Sequence, residues 1–111
     1  MYIYHNVKLI RVIDGDTAEL EINLGNRTTW RDKFRLNGID TPERGQPGYA
    51  EAAAHLTNLV SNGIARCETF KQEKFGRYLV ALYVNTSGGE LLVNRLMVID
   101  GHAKDYDGGA R

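Results

Sequence analysis

The sequence of 111 residues has one cysteine and no long apolar run, and both scarcities exclude classes of protein. The lone Cys67 cannot form an internal disulfide, and its position in an apparent strand predicts a small core residue. A membrane-spanning helix needs about eighteen or more consecutive apolar residues. The chain has no run of that length, so we expect no membrane association. The N-terminus lacks a basic region followed by an apolar stretch and does not read as a secretory signal. As the sequence stands, this favours the cytoplasm and leaves the location otherwise open.

The chain also lacks net charge, because fourteen basic and fourteen acidic residues balance. That neutrality counts against a protein that coats nucleic acid by bulk charge. Basic side chains nevertheless cluster in two segments, which suits a short single strand held at a few phosphates better than a long duplex. These side chains are Arg27, Arg31, Lys33 and Arg35 in the first segment and Lys71, Lys74 and Arg77 in the second.

Hydrophobic periodicity predicts a chain rich in strands around a central helix. The expected strands cover residues 7–13, 17–24, a third strand with Trp30, Phe34 and Leu36, then 64–71 and 78–85; the expected helices cover 49–62 and 91–99. In the first helix, the positions at helical spacing are Ala50, Ala53, Ala54, Thr57 and Val60. The order βββαββα is expected of a five-stranded oligonucleotide-binding (OB) barrel, an α+β fold that is mainly β. We expect one domain over residues 1–111, with 106–111 as a loose tail.

Four carboxylates and an arginine gather near two predicted strand ends. They are Asp14, Asp16, Asp40 and Glu43, with Arg35. A hard divalent cation needs oxygen ligands, a phosphodiester needs its charge offset by a guanidinium, and a further carboxylate can act as general base. In extended geometry the first two aspartates point to one face, although the glycine between them also permits a bend. Asp-Gly-Asp-Thr is equally a good hairpin turn, and Asp-Thr-Pro-Glu a helix-start signal.

Three segments together resemble the staphylococcal nuclease family. They are Val12-Ile-Asp-Gly-Asp-Thr17, then Arg35 five residues before Asp40-Thr-Pro-Glu43, and, after an alanine-rich helix, Lys74-Phe-Gly-Arg77. One such motif is weak evidence for a family, whereas three motifs in the same order are strong evidence. The resemblance implies an OB barrel of the nuclease type. It also implies a calcium-dependent endonuclease, a hydrolase that cleaves phosphodiester bonds.

The resemblance assigns a calcium site to the carboxylates of Asp16 and Asp40 and the carbonyl of Thr41. These are the hard oxygen donors that Ca²⁺ prefers, with water completing the shell. Asp14 matches a neighbouring acidic position that does not itself bind the ion. Calcium, rather than another divalent ion, follows from the resemblance and from the donor type.

The resemblance assigns the general base to Glu43 and phosphate contacts to Arg35 and Arg77, whose planar guanidiniums suit bidentate contact with phosphate oxygens. Lys74 and Phe75 match a Lys-Tyr pair that approaches a terminal phosphate of a bound nucleotide. The phenylalanine keeps a ring and loses the hydroxyl.

Tyr106 falls one place from the family's base-stacking tyrosine. The histidines His5, His55 and His102 are scattered, and we assign them no catalytic or metal role.

The expected function is therefore calcium-dependent cleavage of DNA and RNA, with a preference for single-stranded regions and little base specificity. No protein partner is inferred, and we expect a monomer. One alternative is a catalytically silent OB module that binds nucleic acid or protein, since the fold hosts both catalysts and passive binders. Another is a calcium-stabilised structural module, which would need the aspartates but neither arginine.

Overall fold

The computed structural model describes residues 1–106, so the predicted tail lies, apart from Tyr106, outside the described residues. The elements in chain order are β1 (Tyr2–Tyr4), β2 (Val7–Asp14), β3 (Thr17–Gly25), β4 (Thr28–Leu36), β5 (Ile39–Asp40), α1 (Tyr49–Leu59), β6 (Arg66–Gln72), β7 (Tyr78–Thr86), β8 (Gly89–Leu92), α2 (Val93–Ile99) and β9 (Lys104–Asp105). The predicted strands correspond to β2, β3, β4, β6 and β7, and both predicted helices are present. Neither helix in this range is long and apolar enough to cross a bilayer.

The strands form a rolled sheet in the order β1-β6-β7-β4-β3-β2, with β8 added to β7. All neighbours are antiparallel except β4 and β7, which are parallel. β1 and β2 lie at opposite ends of this order and yet are separated in the chain by His5 and Asn6 alone, so the two ends of the sheet are drawn together. The Asn23 N–H donates to the Asn6 carbonyl at 2.9 Å across this junction. The prediction of a mainly β, OB-type fold with two helices is confirmed.

Four short strands were not predicted, because two to four residues are too few to show a period. β1 pairs with β6 and β8 pairs with β7, whereas β5 and β9 form a separate two-stranded ladder. The β5–β9 ladder brings Tyr106 beside Gly38, whose carbonyl accepts a hydrogen bond from the Tyr106 N–H at 2.9 Å. β1 and β8 therefore add to the predicted five-stranded sheet, while β5 and β9 lie outside it.

The core follows the alternation of the strands. In β3, Ala18, Leu20 and Ile22 are buried, while the glutamates between them point to the other face. Cys67 is fully buried in β6, which confirms it as a core residue, and burial raises the pKa of its thiol to about 12. A thiol with that pKa is almost entirely protonated at neutral pH and is a poor nucleophile.

The buried positions of α1 match only in part those at the predicted helical spacing. Ala52 and Leu56 are buried within the helix and the predicted Val60 directly after it, whereas the exposed positions include Ala50, Ala54 and Thr57. The alanine run from 52 to 54 is compatible with several helical phases, and the larger Leu56 decides which one faces the core. The helix also ends at Leu59, three residues before the predicted end.

The helix α2 begins at Val93, two residues later than predicted, because Leu91 and Leu92 complete β8. Its buried Asn94 ties the helix to the parallel strands: the side-chain amide donates to the carbonyls of Asn37 and Val80 at 2.9 and 3.0 Å, and its oxygen accepts the Leu82 N–H at 3.0 Å. Buried polar groups require such partners. This contact anchors the chain just beyond the end of β4, which carries Arg35.

Candidate active site

An open cleft of about 950 Å³ lies where β2, β4 and β5 end. Its walls are completed by residues 41–44 and by the connection from β6 to β7. All ten residues singled out in the sequence line this cleft: Asp14, Asp16, Arg35, Asp40, Thr41, Glu43, Lys74, Phe75, Arg77 and Tyr106. The tertiary structure therefore gathers segments that are up to 92 residues apart in the chain.

Asp16 occupies the inner wall of the cleft and is only 9% exposed. Its Oδ2 accepts a hydrogen bond from the Thr41 N–H at 3.1 Å and forms an ion pair with Arg35 Nη1 at 3.0 Å. Its Oδ1 accepts from the Thr17 hydroxyl at 3.2 Å. A buried carboxylate needs such compensation, because burial without partners is costly for a charge.

The guanidinium of Arg35 bridges the two carboxylates assigned to a cation. Nη2 lies 3.3 Å from Asp40 Oδ1, and Nη1 also donates to the Ile39 carbonyl at 3.0 Å. The side chain is 12% exposed, and its carbon Cζ lies 5.7 Å from the centre of the Tyr106 ring. These contacts fix the plane of the guanidinium at the floor of the cleft.

Asp14 and Asp16 are directed to different partners, because Gly15 and Asp16 form the turn between β2 and β3. The Tyr49 hydroxyl donates to Asp14 Oδ1 at 2.5 Å and also contacts the Ile13 carbonyl at 3.3 Å. The hydrogen bond to Asp14 raises the pKa of Tyr49, since it favours the protonated phenol. Of the two geometries that the sequence left open, the chain adopts the bend at Gly15, so the two aspartates do not share one extended face.

Gly15 is required at this turn because of what surrounds it. A Cβ atom at this position would lie 2.7 Å from the Ala52 Cβ and 3.0 Å from the Thr41 hydroxyl oxygen. Neither neighbour is the end of a flexible side chain, so a larger residue would push apart the turn, α1 and the segment after β5. The glycine therefore allows the Asp16 carboxylate to approach Thr41.

Glu43 lies on the exposed rim of the cleft, in the loop between β5 and α1. Its N–H donates to Gln46 Oε1 at 2.8 Å, and its carbonyl accepts the Gln46 N–H at 2.9 Å. Within residues 1–106, no hydrogen bond or ion pair holds its carboxylate. The backbone is fixed while the side chain is left to turn toward the cleft.

Arg77 lines the cleft just before β7 and is held by Glu73, a residue to which the sequence assigned no role. The Glu73 carboxylate accepts from Arg77 Nη2 at 3.1 Å, from Nε at 3.3 Å, and from the N–H groups of Phe75 and Arg77 at 3.0 Å each. Burial alone would raise the pKa of Glu73, but the hydrogen bonds and charge of Arg77 outweigh it, so that the pKa lies below the ordinary value. The sequence did offer one sign of this ion pair, because Glu73 and Arg77 lie four residues apart in the third motif segment.

The tip of the β6–β7 connection presents Phe75, which is 74% exposed. The Lys74 ammonium lies 5.2 Å from the centre of that ring. An aromatic ring this exposed contributes little to the core, and its position on the cleft makes it available to a planar ligand.

The donors at the cleft floor fit a hard cation. The carboxylates of Asp16 and Asp40 and the carbonyl of Thr41 are all oxygen donors, which suit Ca²⁺ and offer nothing to a metal that prefers sulfur or nitrogen. Among residues 1–106, no group of three or more His, Cys, Asp or Glu side chains is arranged to hold a metal ion. Water would therefore supply the remaining ligands, as Ca²⁺ readily accepts.

The predicted absence of a histidine role is untested and stays a prediction. His55 Nε2 lies 2.7 Å from Asp100 Oδ2, and its ring stacks on that of His102 at 4.4 Å. These three residues do not line the cleft.

A barrel-like sheet with carboxylates, a carbonyl and two arginines in one cleft defines an OB-type protein with a cation-compatible, phosphate-compatible site. The chain belongs to the family described as staphylococcal nuclease homologue, whose sequence model matches residues 33–110.

Three relatives illustrate the family. The chain is 30% identical over 125 residues to an uncharacterised protein of Methanocaldococcus jannaschii, with 89% of this chain and 58% of the relative covered. It is 30% identical over 100 residues to an uncharacterised endonuclease of Escherichia coli, with coverage of 90% and 60%. It is 31% identical over 105 residues to the thermonuclease of Staphylococcus hyicus, with coverage of 87% and 57%. The chain thus spans less than two thirds of the length of these relatives.

Proposed function

We propose that the chain is a calcium-dependent nuclease that hydrolyses phosphodiester bonds of DNA and RNA as one domain, preferring single-stranded regions and reading little base sequence. The observation that carries the proposal is the position of Arg35 between Asp16 and Asp40. A phosphate-binding guanidinium and the oxygen donors for a cation then occupy one place, which in-line attack on a phosphodiester requires. Membership in the staphylococcal nuclease family supports the same reaction.

The charges of the cleft support a polyanionic substrate once a cation is present. The acidic lining residues are Asp14, Asp16, Asp40, Glu43 and Glu73, and the basic ones are Arg35, Arg44, Lys71, Lys74 and Arg77. These charges balance, so a divalent cation at the floor makes the cleft net positive. A phosphodiester is then attracted to the site, and this attraction is absent in chelator.

Asp16, Asp40 and the Thr41 carbonyl would hold the cation, which when bound supplies positive charge for a phosphate oxygen and for an attacking water. Glu43 accepts a proton from an attacking water as its oxygen bonds to phosphorus; the bond from phosphorus to the leaving sugar oxygen breaks, and that oxygen takes up a proton from solvent. Arg35 and Arg77 donate hydrogen bonds to phosphate oxygens as negative charge builds in the transition state. Phosphate must compete with Glu73 for Arg77, so substrate binding and the release of this ion pair are linked.

Substrate strands would be held by stacking more than by base-edge contacts. Phe75 offers an exposed ring at the cleft, and the Tyr106 ring also lines it. Every base presents a π-face, so stacking tolerates any sequence and requires an unpaired strand. This is the physical support for a preference for single-stranded regions.

The test is cleavage of heat-denatured DNA by the purified chain in calcium and in chelator, with Glu43→Gln alongside. We expect calcium-dependent cleavage that falls about 100-fold or more in the variant, the usual contribution of general acid–base catalysis. Glu51→Gln removes an exposed carboxylate of α1 outside the cleft and should cleave like the wild type. The same assay with RNA examines the second substrate.

A catalytically silent OB module is the second candidate, and one observation favours it. Both arginines have carboxylate partners, as expected of purely structural ion pairs. If folded wild type cleaves nothing in calcium, magnesium or manganese but still binds single-stranded DNA, the silent module is the better account.

A further inference from the structure

Tyr49, the first residue of α1, contacts the end of β2 that carries Asp14. Its hydroxyl lies 2.5 Å from Asp14 Oδ1 and 3.3 Å from the Ile13 carbonyl. The hydroxyl is a donor to a charged carboxylate, and hydrogen bonds to ionised groups are stronger than neutral ones. One oxygen of Asp14 is thereby fixed, and with it the orientation of the carboxylate at the wall of the cleft.

The position of Tyr49 is determined by close packing one turn further along the helix. Ala52 is three residues after Tyr49, so both side chains lie on the same face of α1. Ala52 packs against Gly15 so closely that a Cβ there would be 2.7 Å from its methyl group. The face of α1 therefore meets residues 13–15 along its first turn, and the Tyr49 hydroxyl has little freedom to leave Asp14.

The same tyrosine is connected to the loop that carries Glu43. The guanidinium carbon of Arg44 lies 5.7 Å from the centre of the Tyr49 ring, within range of a cation–π contact. The Tyr49 N–H donates to the Gln46 carbonyl at 3.2 Å, and Gln46 holds the backbone of Glu43. Tyr49 thus lies between the loop with the proposed base and the turn that carries Asp16, one of the proposed cation donors.

We infer that Tyr49 is a positioning residue for the cation: its hydroxyl orients the Asp14 carboxylate beside the donors of Asp16 and Thr41 and thereby raises the affinity of the site for a divalent ion. This inference rests on the proposed function. A carboxylate whose rotation is already restricted can accept hydrogen bonds from cation-bound water without losing that freedom on binding. Groups that orient a metal site from behind typically change its affinity when they are mutated.

Tyr49→Phe isolates the hydroxyl, because the ring beneath the Arg44 guanidinium is retained. The chain offers a matched control in Tyr83, whose hydroxyl donates to Glu68 at 3.1 Å and whose ring lies 3.7 Å from the Arg66 guanidinium carbon. Tyr83 does not line the cleft. Tyr83→Phe therefore removes the same chemical group from the same kind of contact elsewhere.

The measurement is calorimetric titration of Ca²⁺ into wild type, Tyr49→Phe and Tyr83→Phe, without nucleic acid. We expect the calcium Kd of Tyr49→Phe to be about tenfold weaker than that of the wild type, and that of Tyr83→Phe to be unchanged. Turnover at saturating calcium should change much less than the calcium concentration for half-maximal rate. Equal calcium affinity in Tyr49→Phe and wild type would overturn the inference while leaving the nuclease proposal intact. A folded wild type that binds no calcium would overturn both.

Asp14→Asn alters the acceptor of the hydrogen bond that Tyr49 donates. If Tyr49 acts through Asp14, the double variant binds calcium as weakly as Asp14→Asn alone, because the carboxylate to be oriented is already gone. If Tyr49→Phe weakened calcium binding by the same factor in the Asp14→Asn background as in wild type, Tyr49 would not act through Asp14. Melting temperatures in chelator provide the readout for folding: Tyr49→Phe and Tyr83→Phe should lose similar stability, and only the former should lose calcium affinity.

Discussion

The Arg35 guanidinium lies 3.0 Å from the carboxylate of Asp16. Both side chains are largely buried, so each compensates the charge of the other in a place where water does little. Arg35 therefore has a structural task before any phosphate arrives. A cation that takes over Asp16 would release part of that guanidinium for the substrate, which links cation binding to phosphate binding.

Arg35→Gln should separate these two tasks. Removing one partner of a buried ion pair commonly costs about 3 kcal/mol or more, so the variant should melt well below wild type in chelator. Calcium should raise its melting temperature more than that of the wild type, because the ion replaces the lost positive charge between Asp16 and Asp40. DNA cleavage should be lost in either condition.

The control for this variant is Arg95→Gln, which breaks the exposed pair with Asp105. It should change the free energy of unfolding by less than about 0.5 kcal/mol. If Arg35→Gln behaved like this control in chelator, the buried pair would not carry the stability assigned to it. Full cleavage activity in Arg35→Gln would instead show that the Arg35 guanidinium is not needed for phosphodiester hydrolysis.

Gly15→Ala should damage the cleft by sterics alone. The added methyl meets Ala52 and Thr41 closer than ordinary contact allows, so the turn must move away from α1. Overpacking of this kind costs about 1–3 kcal/mol, and we expect a matching loss of stability together with weaker calcium binding. Gly88→Ala is the comparison, since its nearest neighbour is the Thr86 hydroxyl oxygen at 3.9 Å. Denaturant unfolding of both variants decides the matter, and equal stabilities would refute the close approach.

Glu73→Gln should give a stability difference that depends on pH. The folded pKa of Glu73 is lower than its ordinary value of 4.5, so the ion pair stabilises the fold above that value and ceases to do so as pH falls through the folded pKa. Wild type should therefore exceed the variant by up to about 1 kcal/mol near pH 7, and the gap should close toward pH 3. Thermal unfolding across this range measures it. The Glu73 charge would not be responsible if the difference in stability between wild type and Glu73→Gln stayed constant down to pH 3. The same conclusion would follow if Glu51→Gln gave an equal difference from wild type.

Phe75→Ala should weaken substrate binding and leave the fold intact. The ring is 74% exposed, so its loss removes little packing, whereas stacking of one base is worth about 1–3 kcal/mol. We expect the KM for single-stranded DNA to rise about tenfold with kcat little changed. Tyr2→Ala removes a ring that is 71% exposed in β1 and outside the cleft, and its KM should equal that of wild type. Equal KM values for the two variants would remove Phe75 from the binding surface.

Much of this architecture was accessible from local patterns. The alternation of Ala18, Leu20 and Ile22 with charged residues predicted β3 and its buried face, since side chains of a strand point alternately to two sides. The buried positions of α1 were predicted only in part, because consecutive alanines do not distinguish one helical face from the next. Short strands such as β5 and β9 form because they pair with each other. Two residues are too few to show the alternation that would predict a strand.

The sequence by itself determined which chemical groups are available: oxygen donors and guanidiniums at strand ends, in an order typical of the staphylococcal nuclease family. Only the tertiary structure decided how these groups are paired. Tyr49 faces Asp14 from 35 residues away because Ala52 packs on Gly15, and Arg35 reaches Asp16 because the turn after β2 is hydrogen-bonded to Leu36 at the end of β4. Spacing along a chain specifies neighbours within one element, whereas contacts between elements depend on how the whole core closes.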